Sequence, residues 1–265
     1  MSDHGPSPAD LAWPSPEDAR EAIRTSDGAG VRIAVIDSGI DATHPALAGL
    51  ELADDISVTS DGIRLTVREN DGRDVFGHGT AVAGILREVA PAAEIGNFRA
   101  LDGQNRSRSF IIAECVRQAI ARGYHIINCS FGCRGLAKYV MDYKDWIDAA
   151  YVAGIHVVAA GSNLNDSVRE WPAHFPSVIG VGVADCEEDE LIHRPGRLVV
   201  LAAKGERVSV PWLGGGTRVE TGSSFAAPRV SGFLARLLSE YPDLGPDLVK
   251  ALLQRIAQPR GAAAA

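Results

Sequence analysis

The alternation of short apolar runs with amphipathic segments most constrains the fold. Runs rich in Val, Ile and Ala have the composition of strands buried on both faces, and they occupy 31–36, 94–99, 125–130, 155–160, 178–183 and 198–202. Segments 109–122 and 140–153 space their apolar residues as helices do. Short strands separated by amphipathic helices predict an α/β fold with a mostly parallel central sheet and helices on both faces.

The length of 265 residues and the 46% hydrophobic content suit one sizeable domain, which we place at 17–258. Residues 1–16 contain four prolines among small and polar residues, which predicts an irregular N-terminal arm. Ser15 can cap a short helix from about Pro16 to Arg24. Residues 259–265 end in a run of alanines, and we expect a frayed tail.

Charge and hydropathy exclude several classes of protein. A formal net charge of -8 and a pI near 5.4 argue against electrostatic binding of nucleic acid. The N-terminus has no signal-peptide pattern, and no apolar run reaches membrane-spanning length. The four cysteines form no CxxC pair, which favours reduced thiols. We therefore expect a cytoplasmic chain with no nucleic-acid or membrane partner; the oligomeric state is left open.

Several polar residues follow directly on predicted strands. Asp37 ends the first run, Ser130 ends the third, and the turn 161–163 follows the fourth. In open parallel sheets, ligand sites collect at the carboxyl ends of the strands. These pieces of the chain are therefore expected at one edge of the sheet.

Ser224 lies in a small-residue turn, 222–224, which leads into an apolar-faced segment through Leu238. The pattern predicts a helix that begins near Gly222, with Pro228 in its first turn. The Ser224 hydroxyl would then lie at the positive end of that helix. Helix capping is the simpler explanation of such a turn.

Acyl transfer near neutral pH needs a nucleophile, a base, and a group that orients the base. Ser224, His78 and Asp37 are residues of the right types. His78 has a glycine on either side and precedes a helical pattern, so its imidazole can project freely. Each has a plainer alternative, since Asp37 could cap a turn and a lone histidine is often structural.

Three segments together resemble the signature blocks of the subtilisin-like serine proteases, the subtilases. They are Val-Ile-Asp-Ser-Gly-Ile-Asp at 35–41, Gly-His-Gly-Thr-Ala-Val-Ala-Gly at 77–84 and Gly-Ser-Ser-Phe-Ala-Ala-Pro at 222–228. They occur in the Asp, His, Ser order of subtilisin. The likeness runs from about Val31 to Leu238 and implies a subtilisin-like three-layer fold, with Asp37, His78 and Ser224 as the catalytic triad.

The resemblance also implies an oxyanion donor after the strand that ends in Ala-Ala-Gly. Here the chain reads Ala-Ala-Gly-Ser-Asn at 159–163, one residue longer than the family's Ala-Gly-Asn. Either Asn163 reaches the site through a shifted turn or Ser162 takes the position. We favour Asn163, and Asn165 is a third candidate. The backbone amide of Ser224 would be the second donor.

Ser130, Phe131 and Gly132 resemble the family's substrate-lining strand, which pairs with an extended peptide. The Ala160–Gly161 turn would form the opposite wall of the substrate pockets. Phe131 either lines an apolar subsite or packs in the core. Cys133 is expected at a pocket rim and not as a nucleophile, since no histidine is adjacent in sequence.

We expect no cofactor and no metal. Family members often bind calcium through an aspartate at the position of Asp41 and a loop in the following helix, but 84–91 carries no such loop. The carboxylates of Asp54, Asp55, Asp61 and Asp71 could gather a weak ion, although a solvated face is the simpler explanation. Five histidines lack metal-ligand spacing: His4, His125, His156, His174 and His193.

The sequence thus predicts a serine endopeptidase that cleaves extended peptides or proteins. Secreted family members carry a folding propeptide, and none precedes Val31 here, so we expect an intracellular enzyme that processes few substrates. One alternative is a leader peptidase or macrocyclase of ribosomal-peptide biosynthesis, although the helical insert typical of macrocyclases is not seen. The other is a non-catalytic pseudoprotease that only binds peptides.

Overall fold

A computed structural model describes residues 13–69, 71, 73–164 and 168–259. Its central sheet is built from ten strands within these ranges: β1 (Arg32–Asp37), β2 (Asp55–Ser60), β3 (Leu65–Glu69), β4 (Glu94–Arg99), β5 (Ile126–Cys129), β7 (His156–Ala160), β9 (Ile179–Ala184), β10 (Leu191–His193), β11 (Leu201–Lys204) and β14 (Gln258–Pro259). Two antiparallel pairs lie outside it: β6 (Cys133–Arg134) with β8 (Glu170–Trp171), and β12 (Val208–Trp212) with β13 (Gly216–Glu220).

The order of the strands places side by side the three predicted strands that lead to Asp37, Ser130 and the turn 161–163. The sheet runs β14-β10-β11-β9-β7-β5-β1-β4-β2-β3, and its pairs are parallel except β10 with β11 and β2 with β3. Because β7, β5 and β1 are neighbours, their carboxyl ends share one edge of the sheet. The predicted mostly parallel sheet is confirmed.

Helices cover both faces of the sheet. The described helices are α1 (Pro16–Thr25), α2 (His78–Val89), α3 (Ser109–Ala121), α4 (Val140–Val152), α5 (Ser223–Glu240) and α6 (Pro246–Ile256). One core contains residues of α1, α2, α5 and α6, and the other contains residues of α3 and α4. This is the predicted three-layer α/β arrangement.

The ends of the described chain pack on the domain. The hydroxyl of Ser15 accepts from the amide of Asp18, and the Asp18 carboxylate accepts from the amide of Ser15, so a capping box starts α1 as expected. Residues 1–12 of the predicted arm lie outside the described residues. The predicted tail needs one correction: Pro259 pairs with His193 as part of β14. This strand is at the edge of the sheet, where a residue without an amide hydrogen is tolerated.

Two features of the C-terminal half differ from the sequence-based expectation. Pro228 lies inside α5, which begins at Ser223, and not in its first turn. The absent amide hydrogen of Pro228 would have bonded to the carbonyl of Ser224, which therefore lacks that helical partner. The sequence reading also missed α6, whose buried side chains Val249, Leu253 and Ile256 follow helical spacing.

Candidate active site

Asp37 and His78 form a buried pair at the carboxyl edge of the sheet. The Nδ1 atom of His78 lies 2.8 Å from Oδ1 and 2.9 Å from Oδ2 of Asp37. Asp37 is 0% exposed and His78 is 6% exposed. The backbone amide of Ser38 also donates to Asp37 Oδ1, over 2.7 Å. The carboxylate thus fixes the ring so that its other nitrogen, Nε2, is the one available for proton transfer.

Glycines allow helix α2 to approach β1 this closely. Gly77, the residue before the helix, has a φ of 109°, which favours glycine. A side chain at Gly79 would overlap the carbonyl oxygen of Gly39 and lie 3.2 Å from the Asp37 side chain. The glycines on both sides of His78 therefore have a packing reason: they allow the first turn of α2 to contact the end of β1.

Asp74 anchors the start of α2, and the sequence reading did not identify it. Its Oδ1 accepts hydrogen bonds from the Ser38 hydroxyl at 2.8 Å and from the amides of Phe76 and Gly77 at 2.9 and 2.7 Å. Its Oδ2 accepts from the amide and the hydroxyl of Thr80 at 2.9 and 2.6 Å. A carboxylate just before a predicted helix was the available signal, because acidic residues favour helix N-termini.

Neighbouring carboxylates favour the charged form of the His78 imidazole. Burial opposes protonation of the ring, but Asp37, Asp74 and Glu220 favour it more, so the pKa of His78 is raised above its usual value. An imidazole held in this way can accept a proton from a nucleophile and keep it while a reaction proceeds.

Ser224 reaches the same edge of the sheet as the second residue of α5. It is half-buried, and the ring of the next residue, Phe225, lies with its centroid 5.5 Å from the His78 ring centroid. Within the described residues no hydrogen bond joins Ser224 to His78. Hydrogen bonds between catalytic groups are often long without substrate and tighten in the complex.

Asn163 lies beside the serine turn. Its Oδ1 accepts a hydrogen bond from the amide of Ser223 at 2.8 Å and lies 2.9 Å from the Ser223 hydroxyl. The Ser223 hydroxyl is also 2.6 Å from the carbonyl oxygen of Gly161. Because the oxygen of the Asn163 carboxamide is engaged, its NH₂ group is left to donate. In contrast, the Ser162 hydroxyl accepts from the amide of Leu164 in its own turn, and Asn165 lies outside the described residues.

The predicted substrate strand has one buried residue and two accessible ones. The Ser130 hydroxyl accepts from the Asn128 side chain at 3.0 Å, so it belongs to the core. Phe131 is half-buried and packs against the core on the α3 and α4 side, which fits the packing role; a place in an apolar subsite stays a prediction. Gly132 is exposed. In the described part of the chain, Phe131 and Gly132 take no part in backbone pairing.

Opposite this strand, Ala160 ends β7 and Gly161 begins the turn that carries Asn163. Ala160 is buried in the core, and the amide of Gly161 donates to the carbonyl of Val181 at 2.8 Å. Both residues are therefore buried and fixed to the central sheet, and their place in a substrate groove stays a prediction.

The four cysteines, all within the described ranges, are unbridged. Burial raises the pKa of the Cys133 thiol, which agrees with its predicted inert role.

Asp41 accepts hydrogen bonds from the amide and hydroxyl of Thr43. In the ranges described, no three His, Cys, Asp or Glu side chains are grouped to hold a metal ion. Nor does any described helix combine the length and apolar character needed to cross a membrane.

The sheet and this edge define an α/β protein in which an aspartate–histidine pair, a serine at a helix start and an asparagine side chain converge. The chain belongs to the subtilase family, whose model matches residues 28–265. This confirms the resemblance carried by the three sequence blocks.

Individual relatives agree with this assignment. The chain is 31% identical to a subtilisin-like protease of Coccidioides posadasii over 250 residues, which cover 88% of this chain and 57% of that protein. It is 30% identical to subtilisin E of Bacillus subtilis over 229 residues, covering 81% and 57%. The chain therefore spans little more than half the length of these relatives.

Two solved structures share the fold. Sphericase superposes with a TM-score of 0.72 at 26% sequence identity, covering 89% of this chain and 88% of its own. A cold-adapted subtilisin-like serine proteinase gives 0.69 at 24% identity, covering 87% and 83%. These similarities confirm the subtilisin-like three-layer fold.

Proposed function

We propose that this chain is a serine endopeptidase that hydrolyses peptide bonds through an acyl-enzyme. The observation that carries the proposal is the buried Asp37–His78 pair next to the start of α5, where Ser224 lies. Family membership supports the same chemistry. The assignment of individual catalytic residues is our inference from this arrangement.

In the proposed reaction, His78 accepts the proton of the Ser224 hydroxyl as the oxygen attacks the scissile carbonyl carbon. Asp37 orients the ring and stabilises the imidazolium that forms. His78 then gives its proton to the leaving amine, which departs and leaves an ester on Ser224. Water attacks this ester with His78 again as the base, and His78 returns that proton to the Ser224 oxygen as the peptide acid is released.

The developing oxyanion would be stabilised by Asn163 and by the backbone amide of Ser224. The hydrogen bond from the Ser223 amide holds the Asn163 side chain before substrate arrives, so its NH₂ group needs no reorganisation. The backbone amide at the N-terminus of α5 has no helical acceptor and is available as a donor.

The substrate would be an extended peptide or protein segment. The unpaired backbone of Phe131 and Gly132 supports main-chain pairing on one side, and Ala160 and Gly161 form the other side of the groove. We propose that no metal or cofactor takes part. An intracellular location and a narrow substrate set stay predictions; the unbridged thiols favour a reducing compartment.

A peptide digest analysed by mass spectrometry tests this function. The wild type should cut an internal peptide bond, and the masses of the two fragments should sum to substrate plus one water. A product that is one water lighter than the corresponding hydrolysis product would indicate ligation or cyclisation instead of hydrolysis. Binding without turnover by the folded wild type would favour the non-catalytic alternative and contradict the proposal.

A further inference from the structure

A carboxylate lies next to the glycine that ends the substrate strand. Strand β8 pairs antiparallel with β6, which begins directly after Gly132. A β-carbon added at Gly132 would lie 2.7 Å from Oε2 of Glu170. The Glu170 side chain therefore occupies the space beside Gly132 that a larger residue would fill.

The Glu170 carboxylate is half-buried, and burial raises its pKa. Its approach to Gly132 places it at the end of the proposed substrate strand. Loss of water without a compensating positive charge accounts for the raised pKa.

Glu170 forms no ion pair with any residue that the structure describes. Arg134 is opposite Glu170 in the β6–β8 register, but it is exposed and does not close the pair. The guanidinium of Arg169 lies 5.8 Å from the Trp171 ring centroid. The Nδ1 atom of His174 contacts the backbone of Glu170. A half-buried carboxylate without a cation leaves room for a ligand to supply the opposite charge.

We propose that Glu170 selects substrates with arginine or lysine immediately before the scissile bond. This inference rests on the proposed peptidase function. A peptide paired with Phe131 and Gly132, with its scissile carbonyl at Ser224 and Asn163, directs that side chain between the two walls. Because Gly132 has no side chain, the Glu170 carboxylate fits beside the substrate strand, where it would pair with the cation. Arginine can bind both carboxylate oxygens at once.

The test uses fluorogenic peptides that differ only in the residue before the scissile bond: arginine, lysine, citrulline and phenylalanine. Citrulline has the shape of arginine without its charge. The wild type should cleave the arginine peptide about 10- to 100-fold more efficiently, in kcat/KM, than the citrulline or phenylalanine peptide, which is the range for a charge-assisted hydrogen bond. Glu170→Gln should remove most of that preference.

Arg134→Gln is the matched control, because it removes the facing charge but not the carboxylate; the preference for arginine over citrulline should persist. Labelling by a fluorophosphonate should be unchanged in Arg134→Gln. Equal cleavage of the arginine and citrulline peptides by the wild type overturns the proposal, even if Glu170→Gln fails to fold. If the wild type still cleaves the phenylalanine peptide efficiently and is labelled, the proposed peptidase function stands and only the role of Glu170 fails. If the folded wild type shows neither cleavage nor labelling, the peptidase function and the role of Glu170 both fail.

Discussion

The backbone amide of Ser223 donates a hydrogen bond to the side-chain oxygen of Asn163 at 2.8 Å, and the Ser223 hydroxyl lies 2.9 Å from the same oxygen. This contact joins the turn after β7 to the start of α5. It also determines which end of the carboxamide is free, since the oxygen is engaged and the NH₂ group is not. The first of the paired serines thus positions an amide donor, and the second supplies the proposed nucleophile.

Asn163→Ala should lower kcat by about 10²- to 10³-fold with little change in KM, the loss measured for one oxyanion donor in a subtilisin. The reason is that the donor acts on charge that develops only in the transition state. Steady-state kinetics on one peptide provides the measurement. Ser162→Ala is the control and should change kcat by less than about tenfold; a larger loss for Ser162 than for Asn163 would reverse the assignment.

The pH dependence of kcat/KM should reveal the charge around His78. The base must be neutral, so activity should rise with pH, and its midpoint should exceed 6.5 because the pKa of His78 is raised. Asp74→Asn removes a carboxylate that favours the imidazolium, so it should move the midpoint to lower pH. Glu220→Gln should produce a smaller shift in the same direction. An unchanged midpoint in Asp74→Asn would show that the Asp74 charge does not affect the pKa of His78.

Gly79→Ala should destabilise the protein by about 1–3 kcal/mol or more, because the new methyl group would overlap the carbonyl oxygen of Gly39. Gly216→Ala is a matched control. No atom lies within 4 Å of its added β-carbon, and its φ is -94°, so the free energy of unfolding should change by less than about 0.5 kcal/mol. Urea unfolding of both variants measures the difference. Equal stabilities would contradict the close approach of α2 to β1.

Removal of divalent ions should leave the melting temperature unchanged. The Asp41 carboxylate is already engaged by Thr43, and Asp54 is paired with Arg32 and Arg122. Thermal unfolding in EDTA should therefore coincide with unfolding in added calcium chloride, at matched ionic strength. A higher melting temperature in calcium would demonstrate an ion site that the sequence did not predict.

Much of the fold could be predicted from the sequence, because the sheet interior depends on patterns that are local. The run at 94–99 coincides with β4, and helix α4 begins at Val140 as expected. The short strands β10 and β14, at one end of the sheet, were not predicted. With so few residues, their pairing depends on neighbouring strands and not on a local pattern. Helix α6 could have been predicted from its spacing and from Pro246 in its first turn.

The candidate site, like the fold, could be predicted from the sequence only in part. The three blocks lie in order along the chain, so their residue types alone suggested the triad. The contacts that support them join distant segments: Asp74 with Ser38, Ser223 with Asn163, and Glu170 with Gly132. No local spacing predicts such contacts, because they exist only after the sheet brings its carboxyl ends together.

The proposed role of Ser224 has the most direct test. The protein is treated with a fluorophosphonate, digested, and the modified residue located by tandem mass spectrometry. We predict one adduct, on Ser224, which persists in Ser223→Ala and disappears in Ser224→Ala, together with a loss in kcat on the order of 10⁶-fold, the magnitude known for a subtilisin nucleophile. An adduct on another residue, or undiminished turnover by Ser224→Ala, would contradict the account.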